Sequence, residues 1–180
     1  MSRIDETLEF IPVKIAILTV SDSRSLADDK SGQTLVDRLA AAGHHLAERT
    51  IVPDERIEIA QQLRHWIDSP DVDVVISTGG TGLTGRDITV EAHRDVYEKE
   101  IDAFGTVFTM VSMQKIGTSA VQSRATAGVA KGTYLFALPG SPGACRDAWD
   151  EILFKQLDFR HQPCNFVEIM PRLEENLQRK

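Results

Sequence analysis

Asp73-Val-Val-Ile-Ser77 runs without a break into Thr78-Gly-Gly-Thr-Gly82. An apolar run of strand length that ends in glycines suits few folds. The run must be buried on both faces, and the chain must then leave the sheet through a tight loop. Two more apolar runs of strand length end abruptly in a polar or glycine-containing loop. Val13-Lys-Ile-Ala-Ile-Leu-Thr-Val20 ends in Ser21-Asp22-Ser23, and Tyr134-Leu-Phe-Ala-Leu138 ends in Pro139-Gly-Ser-Pro-Gly143. His44 to Val52 reads as a further strand.

Helical periodicity fills the intervals. Ser31 is placed to cap a helix with Leu35, Val36, Leu39 and Ala40 on its apolar face, stopped by Gly43. Pro53-Asp54-Glu55 starts another, with Ile57, Ile59, Ala60, Leu63 and Ile67, ended by Pro70-Asp71. Thr89 to Lys99 predicts a helix, and Phe104, Val107, Phe108 and Val111 fall at amphipathic spacing. Ser141, with Pro142 behind it, fits the cap of a last helix burying Ala144, Ala148, Ile152 and Leu153. Strands alternating with helices predict an α/β fold, a single three-layer domain whose mostly parallel sheet is covered by helices on both faces. It should occupy residues 10–165, between terminal segments 1–9 and 166–180; the chain past Pro163 reads as irregular.

With 42% apolar residues in a chain of 180, a core can form without disulfides or metal. Lys and Arg number 20 against 27 acids, a net charge of −7. That excludes a duplex-binding protein, which needs a basic face, but not a small phosphorylated ligand. No apolar stretch approaches the ~20 residues of a membrane span, and the acidic start is unlike a signal peptide, so the expected location is cytoplasmic with no membrane partner. Cys145 and Cys164 form no C-x-x-C pair, and His44, His45, His65, His93 and His161 have no metal-ligand spacing.

In open parallel sheets, ligands bind beyond the carboxyl ends of the strands. Three loops fall there: Ser21-Asp22-Ser23, Gly79-Gly80-Thr81-Gly82 and Pro139-Gly140-Ser141-Pro142-Gly143. Glycines let backbone N–H groups approach an anion, and two such loops suggest an extended anionic ligand or two ligands. Gly80 to Gly85 also satisfies G-x-G-x-x-G, but a dinucleotide fingerprint requires a strand ending in an acid about 20 residues on, where this chain reads as helix. A nicotinamide-dependent oxidoreductase is therefore a weak reading, and no G-K-[ST] supports a P-loop. Asp22, Asp54 and Asp87 all fall on the predicted rim. Asp54 and Asp87 each fit either a helix cap or a ligand of Mg²⁺, which takes one or two carboxylates together with phosphate oxygens. Arg124, after Ser123, fits either an anion fork or a structural ion pair. The stripe from Phe104 to Met113 fits core or a subunit contact.

The ordered set Thr19-Val-Ser-Asp22, Asp29-Lys-Ser-Gly32, Ser77-Thr-Gly-Gly-Thr-Gly82, Arg86-Asp-Ile-Thr89, Ser123-Arg-Ala125 and Leu138-Pro-Gly-Ser-Pro-Gly143 resembles the molybdopterin-binding domain of molybdenum cofactor biosynthesis proteins. Phe104-Gly105, Ile116-Gly-Thr-Ser-Ala120 and Pro139 to Arg146 resemble its B-type branch. The match runs from Phe10 to Asn165. Val90 stands where many members carry proline. The resemblance implies a protein that binds molybdopterin and, in active members, transfers AMP from ATP to its terminal phosphate. The family's two functional aspartates map to Asp54 and Asp87, expected to be catalytic and to hold Mg²⁺. Ser21, Asp22, Ser23, Gly79, Gly80, Thr81, Gly82, Ser123, Arg124, Pro139, Gly140, Ser141 and Gly143 are then expected to bind pterin and nucleotide. The resemblance further implies a homo-oligomer, trimer or hexamer; contacts with other proteins of the pathway stay open, and the charge balance speaks against nucleic acid. A non-catalytic molybdopterin carrier or scaffold is the alternative.

Overall fold

The computed structural model describes residues 3–175. Four strands run parallel: β2 (Lys14–Val20), β3 (His45–Val52), β4 (Val74–Thr78) and β7 (Thr133–Leu138). On one side β6 (Thr126–Ala130) adds antiparallel to β7, and β5 (Lys99–Glu100) adds antiparallel to β6. The sheet order is β3-β2-β4-β7-β6-β5. A separate antiparallel pair, β1 (Arg3–Ile4) with β8 (His161–Gln162), ties the start of the chain to its end.

Alternation along β2 builds both cores. Ile15 and Ile17 face one side, with Leu35 and Leu39 of α1 (Lys30–Ala41), Phe104 and Phe108 of α4 (Asp102–Ile116), and Cys145 and Ala148 of α5 (Pro142–Ala148). Ala16 and Leu18 face the other, with Ile59, Leu63 and Trp66 of α2 (Arg56–Ile67) and Ala92 of α3 (Thr89–Arg94). Strands pass from β2 leftward to β3 and then rightward to β4, so the order reverses between β2 and β4. A crevice at their carboxyl ends is where an α/β sheet takes its ligand. Residues 142–156 form one continuous element. After α5 it widens to a π-turn at Trp149–Leu153 and closes as α6 (Phe154–Gln156).

Several sequence expectations need correction. The helix begun at Thr89 stops at Arg94 rather than Lys99, because Lys99 and Glu100 pair with Val129 and Gly128. Asp29, not Ser31, caps α1 by accepting from the Gly32 amide. The strand β6 carries no apolar pattern beyond Ala and Val, and pairing on both edges makes it a strand. Ile57 is 72% exposed, outside the apolar face of α2. The tail past Pro163 is not irregular among the described residues: Asn165 caps α7 (Phe166–Ile169), and Val167 enters the core.

Candidate functional site

Loops following β2, β3, β4 and β7 meet at one edge of the sheet. Since β6 runs antiparallel, its beginning lies at that edge too, and this brings Ser123 and Arg124 beside the glycine loop.

The glycine loop is shaped by what it touches. Gly79 has φ +103°, and a Cβ there would stand 2.3 Å from the Val20 carbonyl oxygen. No other residue fits so close to a neighbouring strand's backbone. Gly140 packs against Gly79, with a Cβ position 3.0 Å from its Cα, so the loop after β7 rests on the loop after β4. At Gly80 a Cβ would meet Thr89 Oγ1 at 2.4 Å and Asp54 Oδ1 at 2.8 Å; at Gly82 it would meet Asp87 Oδ2 at 2.7 Å. Asp54 and Asp87, which are remote in sequence, thus border the same four-residue loop on the same side of the molecule.

Each acid is fixed differently. Asp54 Oδ2 accepts from the Asp22 amide, and Asp22 Oδ1 accepts from the Asp54 amide, both at 3.0 Å. This reciprocal pair joins the loops after β2 and β3. Asp87 Oδ2 accepts from the Thr84 amide (2.8 Å) and hydroxyl (2.6 Å), closing the turn over residues 84–87. Neither acid caps a helix: Glu55 and Ile88 occupy those positions, without side-chain caps. Partial burial, reinforced by the charge of Asp22, raises the Asp54 carboxyl above its ordinary value. The Thr84 hydroxyl holds Asp87 below its own, and the Arg86 guanidinium does the same for Asp22.

The remaining predicted residues divide into loop faces and loop supports. Ser21 Oγ accepts from the amides of Ser23 and Arg24, shaping its own turn. Ser141 Oγ caps α5 by accepting from the Ala144 amide. Arg124 comes at the glycine loop from behind. Its Nε donates to the Thr81 and Gly82 carbonyls, its Nη2 to the Asp87 carbonyl, and both Nη atoms reach Glu91. The Glu91 pair is the structural ion pair of its two sequence readings, and the same side chain holds the loop carbonyls. Pro139 contributes its carbonyl, which accepts from Thr78 Oγ1.

Two supporting groups carried no assigned role in the sequence. Asp29 is fully buried, and its carboxylate receives the Thr19 hydroxyl (2.6 Å), the Gly32 amide (2.9 Å) and Arg49 Nη2 (3.0 Å). Arg24 donates to Ser31 Oγ (2.7 Å), whose hydroxyl in turn donates to the Gly140 carbonyl (3.1 Å). Together they lock the start of α1 to the loop after β7. The signal for Asp29 was present: an acid three residues before Gly32 competes with Ser31 for the cap.

The donor set fits a hard divalent cation. Two carboxylates lie along the glycine loop, and Thr89 Oγ1 is a buried hydroxyl without a hydrogen-bond partner among the described residues. No group of three or more His, Cys, Asp or Glu forms a metal cluster among them. A cation there would draw its remaining ligands from phosphate and water, as magnesium does in phosphoryl-transfer sites. No helix among the described residues is long and apolar enough to cross a membrane.

Residues 16–158 match the family model described as a probable molybdopterin binding domain, which sets the class of protein that this sheet and these loops compose. A molybdenum cofactor biosynthesis protein B from Escherichia coli (strain K12) is 52% identical over 158 residues, 88% of this chain and 93% of that one. Its counterpart from Staphylococcus aureus (strain Mu50 / ATCC 700699) is 40% identical over 149 residues, covering 81% and 88%. The crystal structure of a molybdenum cofactor biosynthesis protein B superposes with a TM-score of 0.83 at 37% identity, covering 92% of this chain and 98% of that one. A tungsten cofactor synthesizing protein MoaB from Pyrococcus furiosus gives 0.70 at 38%, covering 79% and 91%. The chain belongs to the MoaB family of molybdenum cofactor biosynthesis proteins.

Proposed function

We propose that the protein transfers AMP from Mg-ATP to the terminal phosphate of molybdopterin. The observation that carries this reading is the convergence of Asp54 and Asp87 on Gly80 and Gly82. Molybdopterin's phosphate is ionised at neutral pH, so its oxygen attacks the α-phosphorus of ATP without a general base. The bond to the β-phosphate oxygen breaks, and pyrophosphate leaves with the electron pair. The obstacle is two polyanions meeting, so catalysis lies in positioning and charge stabilisation. Magnesium supplies charge neutralisation and a template for the phosphates, with Asp54 and Asp87 as its protein ligands. The Gly79 amide donates to the Leu138 carbonyl and that of Gly82 to Asp87, so the amides of Gly80 and Thr81 are the ones that face phosphate oxygens. The loops Ser21–Ser23 and Pro139–Gly143, with Ser123, frame pterin and nucleotide, while Arg124 and Asp22 hold the loops in register.

Purified protein incubated with molybdopterin, Mg²⁺ and ATP should yield adenylylated pterin and pyrophosphate. Tight pterin binding without product would leave a carrier or scaffold role in the same pathway and remove the enzyme reading.

The same reading includes self-association through α4. Met110 (61% exposed) and Ile116 (53%) present apolar surface, joined by Val107 and Met113. A stripe of this kind on a folded protein marks a contact surface. Met110→Glu combined with Met113→Glu is expected to reduce the mass seen by light scattering from a trimer or hexamer to a monomer. An unchanged mass would move the interface elsewhere.

A further inference from the structure

Arg86 stands one residue before Asp87, and its side chain pairs with acids of the loops after β2 and β3. Its Nη2 donates to both oxygens of Asp22 (2.9 and 2.7 Å) and its Nε to Oδ2 (3.2 Å). Its Nη1 donates to Glu55 Oε1 at 2.7 Å. One guanidinium therefore spans the loops after β2, β3 and β4, and crosses the mouth of the crevice. It is the counter-ion of a crowded acidic rim: Asp22 is bonded to Asp54, and Asp54 senses the charges of both Asp22 and Asp87.

This arrangement holds only while the rim remains anionic. Arg86 is 56% exposed, and its partners Asp22 and Glu55 are 47% and 55% exposed. Ion pairs this open to water are weak and easily exchanged. A divalent cation at the carboxylates would take over the neutralisation that Arg86 now provides. The incoming polyphosphate would offer a planar fork a stronger partner than a screened carboxylate, since arginine binds phosphate bidentately. Arg124 is placed otherwise: it is only 29% exposed, and its donors go to loop carbonyls as well as to Glu91.

We propose that Arg86 is a nucleotide-binding residue held in reserve, paired with Asp22 and Glu55 in the free protein and transferred to the β- and γ-phosphates when Mg-ATP enters. The inference rests on the adenylyltransferase reading and assigns that site its polyphosphate clamp. It also assigns Glu55 a role opposite to that of a brace, as the competitor from which the arginine must be released.

Calorimetric binding of Mg-ATP, Mg-free ATP and AMP to the intact protein tests this. Arg86→Gln is expected to weaken Mg-ATP about tenfold, the loss associated with one charge-assisted contact. AMP, which lacks the outer phosphates, should be affected little, and molybdopterin not at all. Arg86→Lys should restore part of the loss. Glu55→Gln, which frees the guanidinium, should tighten Mg-ATP by about twofold or more. In the transfer assay the Arg86→Gln defect should fall mainly on KM for ATP. Equal Mg-ATP affinity in Arg86→Gln and wild type would overturn the proposal alone. So would weaker binding in Glu55→Gln, since that is the signature of a structural strap. Wild-type protein that binds pterin but no nucleotide would overturn the adenylyltransferase reading, and the clamp with it.

Discussion

Asp87→Ala should lower the rate of AMP transfer by about 10²–10³-fold, the cost of losing one charge-stabilising group at a reacting phosphate. Molybdopterin binding should persist. The carboxylate has two duties that must be separated. It closes the turn over residues 84–87 through Thr84, and it borders Gly82 on the side where phosphates are proposed to lie. Asp87→Asn retains an oxygen to accept from the Thr84 amide but removes the charge. The expected result is an Asn variant as inactive as the Ala variant, with thermal stability close to wild type. Near-full activity in Asp87→Asn would reduce Asp87 to a loop fastener and shift the cation to Asp54 alone. Asp54→Asn should behave similarly, because its bond from the Asp22 amide survives in the amide side chain while the negative charge does not.

Strong local patterning is what made the central strands legible. β2, β4 and β7 are largely apolar runs buried on both faces, and the glycine or proline exits of β4 and β7 stand out because few other residues permit such tight departures. The rim loops followed from those strand ends. The signal ran out where a neighbour decides the conformation. Thr126–Ala130 is a strand because β7 and β5 pair with its two edges, and Gly128 is needed beneath the Tyr97 ring, where a Cβ would lie 2.4 Å from ring carbons. The antiparallel direction of β6, invisible in composition, is what delivers Arg124 behind the glycine loop. Val107 shares helical spacing with Phe104, Phe108 and Val111, yet it is 42% exposed while both phenylalanines are buried. Periodicity cannot say how wide a buried stripe is. The links from Asp22 to Asp54, and from Arg86 to Asp22 and Glu55, join residues that no linear motif relates.

Asp29→Asn should be the most destabilising single polar change near the site, about 3–5 kcal/mol, the usual consequence of leaving one member of a buried ion pair alone. Arg49, 14% exposed, would face an amide NH₂ or a neutral oxygen in place of the carboxylate, and its Nε is already buried without a partner among the described residues. Burial opposes ionisation of Asp29, but the Thr19 hydroxyl, the Gly32 amide and Arg49 outweigh it, so the folded carboxyl titrates below the ordinary 3.8. Its contribution is complete above that value and vanishes as pH falls through the lower folded one. Two histidines act earlier. Burial lowers His44 to about 4 and His93, held between Ser77 and Tyr97, to about 3, against 6.5 when unfolded. Their stabilisation is complete above 6.5 and erodes as acid charges the unfolded chain. Urea midpoints measured across pH should therefore fall for both wild type and Asp29→Asn from pH 6.5 downward. The gap between them should remain constant until about pH 4 and close only below it. A gap that narrows with the histidines would tie Asp29 to them rather than to Arg49. A double variant, Asp29→Asn with Arg49→Met, recovering part of the lost stability would locate the cost in the stranded guanidinium. Because Gly32, Ser31 and Gly140 are reached through this same anchor, the loop after β7 should lose its seat on Gly79 wherever Asp29 loses its charge.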